Sequence, residues 1–254
     1  MKRIFTVMAL LAIAGSAIFA QSREFVCRYF PASNGVVLPY RILYPLNFDP
    51  ESRYPMLVFL HGSGERGTDN RAQTLHGGQL FASGEELDGA IFIAPQCPWH
   101  DYWAPVSDNY PEGERFPQDA AMTKALEAVK ELMDSFISLG FADPDRIYGT
   151  GLSMGGFGIL DFTLRFPDYF VAVQPICGGV NIERCRQYRG RTAFRFFHGL
   201  ADDVVPPSCS INADEALKAA GAQSELITYP GVGHGSWNNA FAEPDFLSWF
   251  FRKH

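Results

Sequence analysis

The chain has 254 residues, 47% hydrophobic and 14% aromatic, enough for one large core and too few for two ordinary α/β domains with a linker. Its formal net charge is −7, with no basic run and no basic stripe interleaved with aromatics. Nucleic acid and anionic membrane surfaces are therefore poor partners.

Residues 1–20 read as a secretory signal. Lys2 and Arg3 supply a positive start, Val7 to Ile13 begin a short apolar run, and small residues Gly15, Ser16, Ala17 and Ala20 precede the polar pair Gln21-Ser22. Cleavage after Ala20 is the first choice and after Ala17 the second. The run is short for a spanning helix, and no cysteine adjoins either cleavage position, so no membrane anchor is expected. This assigns residues 21–254 to one domain, exported to the periplasm or the medium.

Phe25 to Phe30 and Val36 to Tyr44 alternate apolar and polar residues around Ser33-Asn34-Gly35, which predicts an N-terminal β-hairpin. Six short apolar runs follow: Met56 to Leu60, Ala90 to Ala94, Arg146 to Thr150, Phe170 to Ile176, Phe194 to Phe197 and Glu225 to Tyr229. The first three suit strands buried on both faces. Helical spacing runs from Gln118 to Leu139, through Met122, Ala125, Leu126, Val129, Leu132, Met133, Phe136 and Ile137. Further helices are predicted over Phe157 to Phe166, over Ser210 to Ala220 with Gly221 as its stop, and over Phe241 to Arg252 as a closing element. Alternating strands and helices imply a mostly parallel sheet covered on both faces. Reactive groups in such folds lie at the carboxyl ends of the strands. Two long irregular stretches, Gly62 to Leu87 and Pro95 to Pro117, have the length of functional loops.

The turn Gly151-Leu152-Ser153-Met154-Gly155-Gly156 joins a predicted strand to a predicted helix. Gly-x-Ser-x-Gly in that setting is a nucleophile elbow. Its backbone is strained and sharply turned, and glycines two residues away leave room for the turn. A serine nucleophile needs a base, and the base needs an orienting acid. His234, between Gly233 and Gly235 after the last strand, stands where the base belongs. His61, His76, His100, His198 and His254 do not, and His198 is read as structural. Asp202 and Asp203 both follow the penultimate strand; Asp202 is the chosen acid, with Asp203 a solvated or loop-capping residue. The oxyanion donors are assigned to the backbone N–H of Met154 and of Ser63, with Gly64 the second choice to Ser63. Arg66 reads as a brace paired with Glu65 or Asp69. Trp99, Tyr102, Trp103, Tyr110 and Trp237 either line an acyl or sugar pocket or pack over a core edge; Trp103 and Trp237 are the pocket candidates.

The five cysteines are Cys27, Cys97, Cys177, Cys185 and Cys209. Cys97 and Cys177 end apolar strands and read as small buried hydrophobes, whereas Cys185 and Cys209 form the pair if a disulfide exists. No Cys-x-x-Cys occurs and the histidines are scattered, so neither metal nor cofactor is expected.

The run Val58 to Asn70, with Leu60-His61-Gly62-Ser63-Gly64-Glu65-Arg66-Gly67 at its centre, resembles a loop of single-domain bacterial esterases of the α/β-hydrolase superfamily. Ala94-Pro95-Gln96-Cys97-Pro98, Asp143 to Tyr148, Gly151 to Gly158, Pro175 to Gly179 and His234 to Trp237 are similar to the same group, the phospholipase/carboxylesterase-like or "predicted peptidase" proteins. They neighbour the polyhydroxybutyrate depolymerases and feruloyl esterases. The resemblance implies an α/β-hydrolase fold and a triad on Ser153, Asp202 and His234. It leaves Asn181 to Arg191 and Cys209 unplaced. The expected activity is carboxylic-ester hydrolysis through an acyl-enzyme, on a small-molecule or polysaccharide-linked ester, with a lean to feruloyl or acetyl groups of plant polysaccharides. The alternatives are a serine peptidase of the same fold and a catalytically silent carbohydrate-binding protein.

Overall fold

The computed structural model describes residues 23–106 and 116–252. Residues 1–20, expected to be a signal, and Tyr110 lie outside the described residues.

Eight strands form one sheet in the order β1-β2-β4-β3-β5-β6-β7-β8. Strands β1 (Val26–Pro31) and β2 (Val37–Leu43) are the expected hairpin, and β2 also pairs antiparallel with β4 (Ile91–Pro95). From β4 onward the sheet is parallel, through β3 (Tyr54–Leu60), β5 (Ala142–Leu152), β6 (Ala172–Ile176), β7 (Ala193–Gly199) and β8 (Ser224–Tyr229). Every residue of β4, β6 and β7 is buried, as continuous apolar runs in a doubly covered sheet require. The outer strand β1 is mostly exposed.

Side chains alternate across the sheet with period two. Met56, Val58 and Leu60 join one core with helices α2 (Lys124–Ser138), α3 (Met154–Arg165) and α5 (Ser208–Ala219). Leu57 and Phe59 join the other, with α1 (Gly78–Ser83) and the C-terminal elements. That second core is aromatic: Phe59, Phe81, Phe92, Phe197, Phe246 and Phe250 are all fully buried.

Two predicted helices are corrected. The helix expected from Gln118 begins only at Lys124, because Thr123 is extended and its hydroxyl accepts from Leu126 N–H at 3.3 Å. The closing helix is two short ones, α6 (Trp237–Phe241) and α7 (Ser248–Phe251). Pro244 has no N–H to give and breaks the run. The stretch Gly62 to Leu87 is partly regular, holding three 3-10 turns besides α1. The segment Asn181 to Arg191 carries α4 (Ile182–Arg186), capped by the Asn181 side chain and tied by Arg184 to the buried Asp161 of α3.

Candidate active site

The elbow residue Ser153 stands between β5 and α3 with φ +53° and ψ −118°. A β-carbon-bearing residue holds that left-handed value only when its surroundings enforce it. Here Ser153 N–H donates to Ile176 O of β6 at 2.9 Å, and Phe157 N–H closes the first turn of α3 on Ser153 O at 3.0 Å. The flanking glycines are obligatory. A β-carbon on Gly155 would lie 1.8 Å from Leu60 O, and one on Gly151 would lie 2.5 Å from Gly155 O.

The loops after β5, β7 and β8 bring three predicted residues together. His234 Nε2 is 2.9 Å from Ser153 Oγ, and His234 Nδ1 is 2.8 Å from Asp202 Oδ2. Asp202 Oδ1 accepts from Val204 and Val205 N–H, each at 2.9 Å. Burial opposes the Asp202 charge, but hydrogen bonds from His234, Val205 and Val204 outweigh it and hold the carboxyl below its ordinary range. With Asp202 anionic, Nδ1 of His234 carries the ring proton and Nε2 presents its lone pair to the serine hydroxyl. Asp203 points to solvent.

His198 is fully buried and backs the acid. Its Nε2 lies 2.9 Å from Val205 O and 3.2 Å from Asp202 Oδ2, while Nδ1 is 2.7 Å from Ser210 Oγ. Burial lowers its pKa, consistent with a neutral ring.

Met154 is the first residue of α3, so its N–H has no partner within the helix and forms part of the positive end of the helix dipole. Ser63 opens a 3-10 turn, Ser63–Glu65, immediately after β3, whose Leu60 pairs in register with Gly151 of β5. A clamp holds this loop. His61 Nε2 accepts from Cys97 N–H at 2.9 Å, and Gln96 receives Asn70 N–H at 2.7 Å while donating to Glu65 O and Asp69 Oδ1. Arg66 braces the loop through carbonyls rather than the expected carboxylates. It donates to Ser63 O and Trp99 O and lies over the Tyr102 ring at 4.6 Å.

Trp103 is corrected from pocket to core. It is fully buried, its Nε1 donates to His61 O at 3.1 Å, and its ring meets the His61 imidazole edge-on. Trp237 does border the site, with its ring perpendicular to His234 at 5.5 Å and 5.2 Å from His76. Trp99 is exposed. No disulfide joins Cys185 to Cys209, and Cys185 is fully buried. Cys177 is fully buried, as its reading as a small hydrophobe expects, and behind the site its thiol lies within 4.8 Å of donor atoms on Asp202 and His234.

A serine on a strained strand-to-helix turn, a histidine after the last strand and a doubly wound sheet define an α/β-hydrolase. The sequence pattern of the phospholipase/carboxylesterase family matches residues 49–248, and the chain belongs to that family. It is a serine esterase-type hydrolase. A probable carboxylesterase of Oryza sativa subsp. japonica is 26% identical over 196 residues, 71% of this chain and 81% of that protein. The crystal structure of a thermostable esterase superposes with a TM-score of 0.78 at 31% identity, covering 90% of this chain and 63% of that one. An uncharacterized secreted protein of Arthroderma benhamiae is 24% identical over 254 residues, 86% of this chain but 26% of that protein. Among the described residues no helix is long and apolar enough to cross a membrane.

Proposed function

We propose that the protein is an exported carboxylesterase acting through a triad of Ser153, His234 and Asp202. The observation that carries this reading is the unbroken chain of hydrogen bonds from Ser153 Oγ through His234 to Asp202, at 2.9 and 2.8 Å. Ser153 Oγ attacks the ester carbonyl while His234 Nε2 takes its proton, and the imidazolium then returns that proton to the departing alcohol. The backbone N–H groups of Met154 and Ser63 receive the negative charge on the tetrahedral oxygen. Water, activated by the same imidazole, releases the acid and regenerates the serine. Asp202 keeps the ring in the required tautomer.

The proposed substrates are feruloyl or acetyl esters on plant polysaccharides, with Trp237 beside the acyl group. Export is supported by the leader composition of residues 1–20 and by the likeness to a secreted protein. An ester reading is favoured over peptide cleavage because amide hydrolysis demands fuller protonation of a poorer leaving group.

One panel tests the proposal at equal enzyme concentration: methyl ferulate, acetylated xylan, short p-nitrophenyl esters and proline-containing peptide amides, alongside fluorophosphonate labelling. Turnover of esters with label on Ser153 is expected. Folded protein that hydrolyses no ester and takes no label would refute it, and faster turnover of peptides than of any ester would replace it.

A further inference from the structure

Beneath the serine–histidine–aspartate chain lies a thiol that ester hydrolysis does not use. Cys177 follows β6 with φ +39°, and its N–H donates to Phe197 O at 2.8 Å, fixing it against the end of β7. It is fully buried. Its sulfur, an Asp202 carboxylate oxygen and a His234 ring nitrogen all lie within 4.8 Å of one another. A second observation concerns the same spot. The Ser236 hydroxyl is fully buried, lies beside the Cys177 thiol, and has no well-formed hydrogen bond among the described residues.

We propose that Cys177, Asp202 and His234 form an inhibitory site for a thiophilic divalent cation of the zinc and cadmium class, with the Ser236 hydroxyl beside it. Charge favours this class. A thiolate and a carboxylate neutralise a dication, and a neutral imidazole adds none, so the assembled site carries no net charge into a buried place. Sulfur selects against magnesium and calcium, which take oxygen ligands. Zinc bonds of about 2.0–2.3 Å in a tetrahedral site set the donors roughly 3.5 Å apart, so side-chain movements of about an ångström complete it. The way in passes the His234 ring, whose side chain is 20% exposed while that of Asp202 is 0% exposed.

The step balances without redox. The cation takes the Nδ1 lone pair, the proton formerly on Nδ1 moves to Nε2, the S–H bond breaks, and the thiol proton leaves to solvent as the metal–sulfur bond forms. Nε2 then carries a proton and has no lone pair for Ser153. Inhibition is thus a tautomer lock, and this half of the inference rests on the proposed triad, whereas cation binding does not.

The test uses the full chain, stripped of metal by chelation. One equivalent of Cd²⁺ should produce an ultraviolet sulfur-to-cadmium charge-transfer band. Zn²⁺ and Cd²⁺ should inhibit p-nitrophenyl acetate hydrolysis reversibly, with recovery on adding EDTA, and Mg²⁺ and Ca²⁺ should not inhibit. Cys177→Ser should hydrolyse the ester at the parent rate in EDTA, lose the one-equivalent band, and need at least the roughly tenfold more zinc that even an outer-shell partner is worth. Cys177→Ala serves the same comparison if the serine variant does not fold. Ser153→Ala should keep the band, which reads binding apart from ester hydrolysis. Equal zinc sensitivity of the parent and a folded Cys177 variant would overturn the inference, as would the absence of a band in folded parent protein at one equivalent.

Discussion

Protonating His61 forces a charge into the dry base of the loop that follows β3. The residue is 1% exposed, its Nε2 accepts from Cys97 N–H at 2.9 Å, and its Nδ1 donates to Gly62 O at 2.6 Å. A second proton would oust the Cys97 amide as well as charge a buried ring. Burial accordingly lowers the pKa from 6.5 to about 4. Between those values the unfolded chain binds a proton that the folded chain refuses. Stability therefore falls as pH drops through this window, by about 1.4 kcal/mol per pH unit and roughly 3 kcal/mol in all, and this loss stops below the folded value. His61→Gln removes the titration. At pH 7 the variant should be less stable by about 1–3 kcal/mol, because Cys97 N–H and Gly62 O lose well-placed partners. From pH 6.5 to 4 its stability should fall by roughly 3 kcal/mol less than the parent's, so that the two curves converge or cross near the acid end. Urea unfolding followed by tryptophan fluorescence at closely spaced pH values measures both curves. Parallel curves across the window would refute the account of His61 as a neutral clamp.

Asp202→Asn should fold and lose about 10⁴ in turnover on p-nitrophenyl esters, because an amide no longer selects the required His234 tautomer. Asp203→Asn, at an exposed position, should stay near parent activity, and a reversed order of the two losses would reassign the acid. Trp103→Ala should destabilise the fold by about 3–5 kcal/mol in denaturant unfolding, as a large truncation in a packed core does. Unchanged stability with a weakened preference for ferulate would instead restore Trp103 to the pocket. Gly155→Ala should yield no soluble active enzyme, since its methyl would sit 1.8 Å from Leu60 O; a folded variant with parent turnover would show that the elbow can relax.

The inner strands were legible in the sequence because they are buried on both faces, as the apolar run Ile91 to Pro95 shows, whereas the edge strand β8 is only part-buried and carries an exposed Glu225. The elbow was legible because its backbone tolerates only glycine at Gly151 and Gly155. Helix limits were harder, since an apolar period continues through positions where the backbone has stopped. Met122 keeps the spacing of α2 although the helix starts at Lys124, and Phe246 packs into the core from a turn beyond Pro244. Trp103 shows the opposite error. A long loop with several aromatics looks like a pocket, and it takes the ring's full burial and its hydrogen bond to His61 O to reveal it as a core member.

Cys177 is buried, as the sequence predicts, but its neighbours follow from strand order rather than from any motif. Strands β5, β6, β7 and β8 lie side by side and parallel, so the residues just beyond their carboxyl ends converge whatever their separation along the chain. That rule selected Ser153 after β5, Asp202 after β7 and His234 after β8. Applied to β6 it selects Cys177, the residue immediately after Ile176. A buried cysteine at a strand end reads as a small hydrophobe, and no motif places its sulfur in the same row as the serine, aspartate and histidine. Strand order, unlike motif, is indifferent to residue type, and it places the thiol beside the histidine and aspartate as firmly as it places them beside the serine.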